Sequence, residues 1–508
     1  MPASSDPEKY SIDEMMERLK NRPAEDPLHD GELVTRADGT VAIKVRKRKR
    51  RSHQPHKEEQ RQQRRARMLQ VSGALLLLLM AGLAAGSAIV YANSAPFREK
   101  LLGMITASSG ASAKVELFRV TPSRAIAGRL ELAWPAGNVI KELTTRGFSA
   151  AIAPASFLGK SISGEEVTAN DGTLRLSMPD PGEPLLAGNT LSQPPPIRFR
   201  RYAIPKLNVV FGDPATPALV VRESEVSLQP DNANGRPQLL VNRGEIIAPG
   251  WHKLKMDRAH IEFRDREIDI VGMRLLQEED SRGVLELSGS VAPYAGEQES
   301  KLAVRMESFL LSGVLGPELG QLISGRVDTV STPQSNQLAF TPGSGQPATL
   351  DLTFRSTLAE SIELQGFKFL ANLARLLEDN WFERPVFEPD AAGSIRRSGG
   401  MVELSNLFFE HKGRMALRGH ITANPNRQLS GELKVGISEA MLKAADNRRL
   451  DAMFGRTEDG FRWVTLKISG TSTAPADNFL EILEATPAAA APPPADSVPT
   501  FEELTAPE

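Results

Sequence analysis

Two hydrophobic patterns divide the chain. Between Met68 and Ala92 the segment MLQVSGALLLLLMAGLAAGSAIVYA carries no charged residue and no polar periodicity. A helix needs about 20 apolar residues to cross the hydrocarbon core of a bilayer, so this stretch predicts one transmembrane helix. From about Ala113 onward, apolar side chains recur at every second position instead. AKVELFRV, GRLELAWP, FSAAIAP, GTLRLSM, KLNVVFG and ALVVRESEVSLQP are strand-like runs, separated by glycine, proline, asparagine or aspartate. The expected fold is mainly β with a few helices.

The remaining segments are read around these two. Before the span, SIDEMMERLK opens with a capping box between Ser11 and Glu14, and GELVTRADGTVAIKV predicts a hairpin turning at Asp38-Gly39. This arm is too small for its own core. It is either a docking element, with residues 8–45 meeting a cytosolic partner, or a partly ordered leader. After the span, FREKLLGMITASSG predicts a short juxtamembrane helix. The proline-rich GEPLLAGNTLSQPPPIRF and STPQSNQLAFTPGSGQPATL read as loops or module boundaries. The resulting division is 1–67 basic arm, 68–92 span, 93–112 juxtamembrane helix and linker, 113–330 β-rich modules, 331–349 linker, 350–484 C-terminal β-module with covering helices, and 485–508 an acidic Ala/Pro-rich disordered tail.

An internal repeat organises the second half. GVLELSGSVAP from Gly283 and GRMALRGHITA from Gly413 share one pattern, and SKLAVRMES and GELKVGISE follow them in turn. EIDIVGMRLLQEED precedes the first copy and GMVELSNLFFEHK the second; helix-like FLLSGVLGPELGQLIS and SEAMLKAADNRRLDAMF follow them. A unit of three strands and a helix thus recurs with a period of about 130 residues. Between the copies, GFKFLANLARLLEDNWFE places Phe369, Leu370, Leu373, Leu376 and Leu377 on one helical face. Such a helix either covers a sheet or acts as a lid over an apolar cavity.

Charge and composition orient this arrangement. KVRKRKRRSHQPHKEEQRQQRRARM lies directly before the span and only Arg98 and Lys100 directly after it. That asymmetry predicts a cytoplasmic N-terminus and translocation of the rest. The basic run is an orientation signal in contact with anionic lipid rather than a nucleic-acid site. The chain has no cysteine, which excludes disulfide staples and thiolate chemistry. Its seven histidines, His29, His53, His56, His252, His260, His411 and His420, form no zinc-ligand spacing. Gly159-Lys160-Ser161 lacks the leading glycine of a phosphate loop, Pro154 standing in its place. No nucleophile elbow occurs, and the cluster Glu278, Glu279 and Asp280 reads as a solvated turn. The expectation is a protein without catalytic, cofactor or metal site.

The N-terminal span, the period-two strands and the closing sequence from GGMVELSNLFFEHKGRMALRGHITANPNRQLSGELKVGIS to WVTLKISGTSTAPADN resemble the AsmA-like family, which includes TamB-type proteins. The likeness is close only over the last hundred or so residues. It implies an extended, twisted antiparallel sheet forming a hydrophobic groove, in an inner-membrane-anchored periplasmic protein. It further implies phospholipid transport and outer-membrane biogenesis, with membrane phospholipids and outer-membrane assembly proteins as partners and no nucleic acid. On that reading the groove candidates are Phe309, Leu310, Phe369, Leu370, Leu373, Leu377, Phe408 and Phe409. The alternative is a non-catalytic envelope scaffold that docks a secretion or cell-wall machine.

Overall fold

The computed structural model describes residues 31–45, 57–152, 161–177, 196–231, 235–249, 251–264, 267–278, 281–292, 298–330, 336–342, 344, 346–357 and 361–487. The expected capping box at Ser11, the Gly159-Lys160 step, most of the first proline-rich connection, the pair Glu279 and Asp280, and residues 488–508 of the tail lie outside them.

The predicted arm hairpin forms. Gly31–Thr35 pairs antiparallel with Val41–Val45. Gly39 adopts φ +82°, the left-handed geometry that suits glycine at a tight turn. Helix α1, Lys57–Ala92, contains one stretch, Ala74–Ala92, long and apolar enough to cross a membrane. Its 19 residues rise about 28 Å at 1.5 Å each, close to the thickness of a hydrocarbon core. Up to Tyr91 none of this stretch is buried inside the protein; Ala92, at its end, is. Helix α2, Ala95–Ser109, is the expected juxtamembrane helix. Proline stands in its first turn, where no intrahelical N–H is needed, and Gly110 ends it at φ +70°.

Everything after α2 is organised by one sheet laid down in chain order, from Ser112–Glu116 to Ala474–Asp477. Nearly every pairing is antiparallel. The exceptions are Ile162–Thr168 and Asp171–Leu176, which both run parallel to Ile197–Gly212. Rings in the pairing are local: Pro217–Gln229 pairs with both Gln238–Asn242 and Glu245–Ile247, and both of these pair with Leu254–Phe263. Among the described residues no ladder pairing joins Ser112–Glu116 to Ala474–Asp477, so the sheet keeps two edges.

The period-two reading is visible as burial. In Ser300–Glu307, Ser300, Leu302, Val304 and Met306 point inward and the residues between them outward. Residues 331–349, expected as a linker, contain a further strand, Gln337–Phe340, paired with both Ser300–Glu307 and Thr349–Ser356. The buried Asn336 holds its start: its amide donates to the Val330 carbonyl (2.7 Å) and accepts from the Thr353 N–H (2.8 Å). The short alternation of QLAF is enough for a strand once such an anchor fixes its register, so the sheet runs through the expected boundary.

The repeat extends to backbone detail. Val284–Val291 and Met415–Ala423 occupy equivalent places, each preceded and followed by the predicted strands. Gly289 and Gly419 sit at matching positions with φ +141° and +135°. A Cβ on Gly289 would lie 2.8 Å from the Lys301 carbonyl oxygen, and one on Gly419 only 2.2 Å from that of Glu432. A register shift falls beside each glycine, between Ile270 and Met273 opposite the first and between Leu404 and Leu407 opposite the second.

After each copy comes the expected helical segment. Helix α3, Leu311–Leu319, follows the first; Glu439–Ala444 and Arg448–Met453 follow the second. Helix α4, Lys368–Leu377, lies between the copies and presses Phe369, Leu370, Leu373, Ala374 and Leu377 into the main core with Phe354, Phe382, Phe387 and Phe409. Burying each large apolar side chain stabilises the fold by about 1.5–3 kcal/mol relative to exposure.

Candidate functional site

The N-terminal half of the sheet borders an open-sided cavity of about 2010 Å³. Drug-sized ligands occupy pockets of about 300–1,000 Å³, so the space exceeds a small-molecule site. Helix α2 supplies Phe97, Leu101 and Ile105, three residues at intervals of four and hence on one helical face. Strand positions complete the wall: Ala125, Ala127, Leu130 and Leu132, then Phe148, Ala150 and Ile152, then Ile162, Val167, Leu174, Phe199, Leu207, Val226 and Leu239.

Small side chains keep the interior open. Ala125, Ala127 and Ala150 face inward where a larger residue would fill space. Gly164 has no room for a Cβ, which would meet the Ala151 carbonyl oxygen at 1.9 Å and the Phe199 ring at 2.5 Å. The apolar lining continues past the cavity: Leu254, Leu285 and Leu287 pack against both the middle cluster of Leu207, Val226, Met256 and Leu275 and the C-terminal core.

Polar groups are a minority on the wall, Ser163, Gln229 and Asp231 among them. Thr145 is buried, and its hydroxyl has no hydrogen-bond partner among the described residues. Burial pushes the Tyr202 phenol above its ordinary range. Arg198, Arg200 and Arg201 follow the start of Ile197–Gly212; Arg200 pairs with Glu165 (3.2 Å), and Arg201 Nε donates to Ser227 Oγ (2.9 Å). The arrangement suits a long apolar ligand with a polar end. No group of three or more His, Asp or Glu able to hold a metal occurs among the described residues.

The end of the candidate span is built into this wall. Ala92 is buried in one cluster with Phe97, Val120, Ala125, Ala150, Ile152, Ile162, Val167 and Phe199. Asn93 Nδ2 donates to the Val120 carbonyl (2.9 Å), and the Val120 N–H donates to Asn93 Oδ1 (2.8 Å). The side-chain amide thereby satisfies both backbone groups of a strand end.

The groove candidates read from the sequence lie elsewhere, and none lines the cavity. Phe309, Phe369, Leu370, Leu373, Leu377 and Phe409 are packed in the C-terminal core. Leu310 is half-buried, its backbone N–H and carbonyl both held by the Gln277 amide (2.7 and 3.1 Å). Phe408 is 42% exposed, with Arg418 stacked 5.5 Å above its ring. Helix α4 is therefore a filling of its half of the sheet. The open half is lined instead by residues whose signal in the sequence is the spacing of Phe97, Leu101 and Ile105 and the alternating alanines of RAIAGRLELA.

Where the apolar lining meets the C-terminal core, α3 carries a buried ion pair. Arg397 Nη2 lies 3.6 Å from Glu318 Oε2, Nη1 donates to the Val314 carbonyl (2.7 Å), and the guanidinium stacks 4.4 Å from the centre of the Trp251 ring. Gly316 breaks the helix with φ +63°, and a Cβ there would collide with both charged groups at 2.5 Å. Desolvation lowers the Arg397 pKa, an effect opposed by the Glu318 charge.

No family model, curated protein or solved structure matches the chain.

Proposed function

We propose that this chain is a single-pass membrane protein whose N-terminal half-sheet shelters the acyl part of a lipid, with the N-terminus cytoplasmic and the sheet on the periplasmic side of an inner membrane. One observation carries the reading: an apolar cavity of about 2010 Å³, walled by α2 and the first strands, abuts the end of the candidate span. An acyl chain leaving water for such a space gains about 0.8 kcal/mol per methylene. The spare hydroxyl of Thr145 gives a polar lipid atom a partner, and the family resemblance names phospholipid transport and outer-membrane biogenesis as the context.

Helix α2 is then where lipid passes between bilayer and groove. The C-terminal half favours a second role for that half alone, as a docking module for envelope partners, since α4 packs Phe369, Leu370 and Leu373 into its core. The test is lipid mass spectrometry on the full chain exchanged from detergent into amphipathic polymer. Stoichiometric co-purifying lipid is expected from the native chain. Leu132→Trp and Leu174→Trp, which fill the cavity, should reduce it several-fold, while Phe369→Leu in the C-terminal core should not. Equal lipid in all samples, or none in the native chain, sinks the carrier reading.

A further inference from the structure

We infer that the tip of the hairpin that opens the main sheet, where Ser112–Glu116 and Arg119–Val120 pair with Arg124–Ala133, is from Leu117 to Ile126 a membrane-contact surface that rests on an anionic bilayer and so fixes how the cavity faces it. The inference depends on α1 being an anchor, and not on whether the cavity carries lipid.

Four observations meet at this tip. The Asn93–Val120 clamp ties it to the end of the candidate span, so neighbouring residues lie at the depth where a bilayer surface would be. Ile126 is 43% exposed on the outer face of its strand, between the inward-facing Ala125 and Ala127. Leu117 is 85% exposed and adopts φ +53°, a conformation that leucine rarely takes, with its side chain lying over Gly128. The protein leaves both side chains exposed.

The charge pattern points the same way. Arg119 is the register partner of Ile126 and shares its outward face; Arg124 lies two positions from Ile126 on that face. Neither arginine makes an ion pair among the described residues, and no acidic side chain lies from Leu117 to Ile126. Farther up the same two strands the charges balance: Arg129 pairs with Glu131, and Glu116 stands opposite Arg129. Apolar side chains flanked by unpaired arginines at the tip, with a neutral balance beyond, complement an anionic headgroup layer.

Depth is what distinguishes a bilayer from a protein partner. At about 3.3 Å per residue, Leu117 stands about 10 Å and Lys114 about 20 Å along the strand from Val120. The chain has no cysteine, so Ile126→Cys, Leu117→Cys and Lys114→Cys each give one labelling site in the full-length protein. Each variant is labelled with a solvatochromic fluorophore and reconstituted into phosphatidylcholine vesicles with or without phosphatidylglycerol, both containing headgroup nitroxide lipid. Leu83→Cys in α1, at the middle of the span and so read against lipid that carries its nitroxide near the acyl-chain end, serves as the anchor control. Quenching should be several-fold stronger at 126 and 117 than at 114, and phosphatidylglycerol should increase it. Arg119→Glu with Arg124→Glu should abolish that increase.

Strong quenching at 83 with equal quenching at 126, 117 and 114 overturns the contact surface while leaving the anchor in place. Absence of quenching at 83 overturns the anchor and the contact surface together. Either result leaves the lipid content of the cavity to be decided by mass spectrometry.

Discussion

Asn93 and Val120 are joined by a reciprocal pair of hydrogen bonds, 2.9 and 2.8 Å long, through which the side chain that follows the last residue of α1 takes the place of a neighbouring strand. Removing the amide in Asn93→Ala leaves a strand end without both partners. The expected cost is about 1–2 kcal/mol, and it should be local. Hydrogen exchange should accelerate at the Val120 amide while amides of Met415–Ala423 keep their protection. An unchanged rate at Val120 would show that the clamp does not form.

The two repeat glycines should differ in the same substitution. Both hold positive φ, so alanine is strained at either position. The closer carbonyl at Gly419 (2.2 Å, against 2.8 Å at Gly289) makes Gly419→Ala the more damaging. Destabilisation of about 1–3 kcal/mol is expected for Gly289→Ala and more for Gly419→Ala, read from urea midpoints at unchanged slope. The reverse order would contradict the contact geometry.

Breaking the ion pair at α3 should cost far more than replacing it. Arg397→Met leaves Glu318 buried without its counter-charge, and a loss of about 3–5 kcal/mol is expected. Adding Glu318→Leu to the same chain removes the stranded charge and should restore most of that loss. A double variant no more stable than the single one would place the damage in packing against Trp251 instead.

Tyr202 provides a spectroscopic probe of the cavity. Its phenol is raised above 10.0 chiefly by burial, with a backbone hydrogen bond at Phe199 opposing. Because burial favours the neutral form, its contribution to stability is intact below the unfolded value and is lost as pH rises from there through the folded pKa. Difference absorbance of the native chain against Tyr202→Phe should place its ionisation late in an alkaline titration. Saturating the cavity with a long-chain lipid should delay it further. Ionisation at the ordinary phenol value would mean that Tyr202 is open to water.

Much of the architecture was legible in the residues. The charge-free run ending at Ala92, the Asp38-Gly39 turn and the alternation in SKLAVRMES each dictate one local answer. The matching order of segments around Gly283 and Gly413 announced the repeat. The location of the open space was not legible. Phe369, Leu370 and Leu373 make the same helical stripe whether they fill a concave face or border it, and only the tertiary structure shows that they fill it. Ala125, Ala127 and Ala150 are ambiguous for the converse reason: a small inward residue marks close packing or vacancy, depending on what lies opposite. The strand at Gln337–Phe340 was hidden because its register is set from outside it, through Asn336.

The order of the sheet has a consequence for how the molecule is made. Nearly every strand pairs with one next to it or one beyond it in the chain, so each new strand finds its partner already in place. Assembly therefore needs few long loop closures before contacts compensate for them. A chain delivered progressively from its N-terminal end can add strands as they emerge, starting from the Asn93–Val120 clamp. Until the next segment arrives, its growing edge is the surface most exposed to wrong partners.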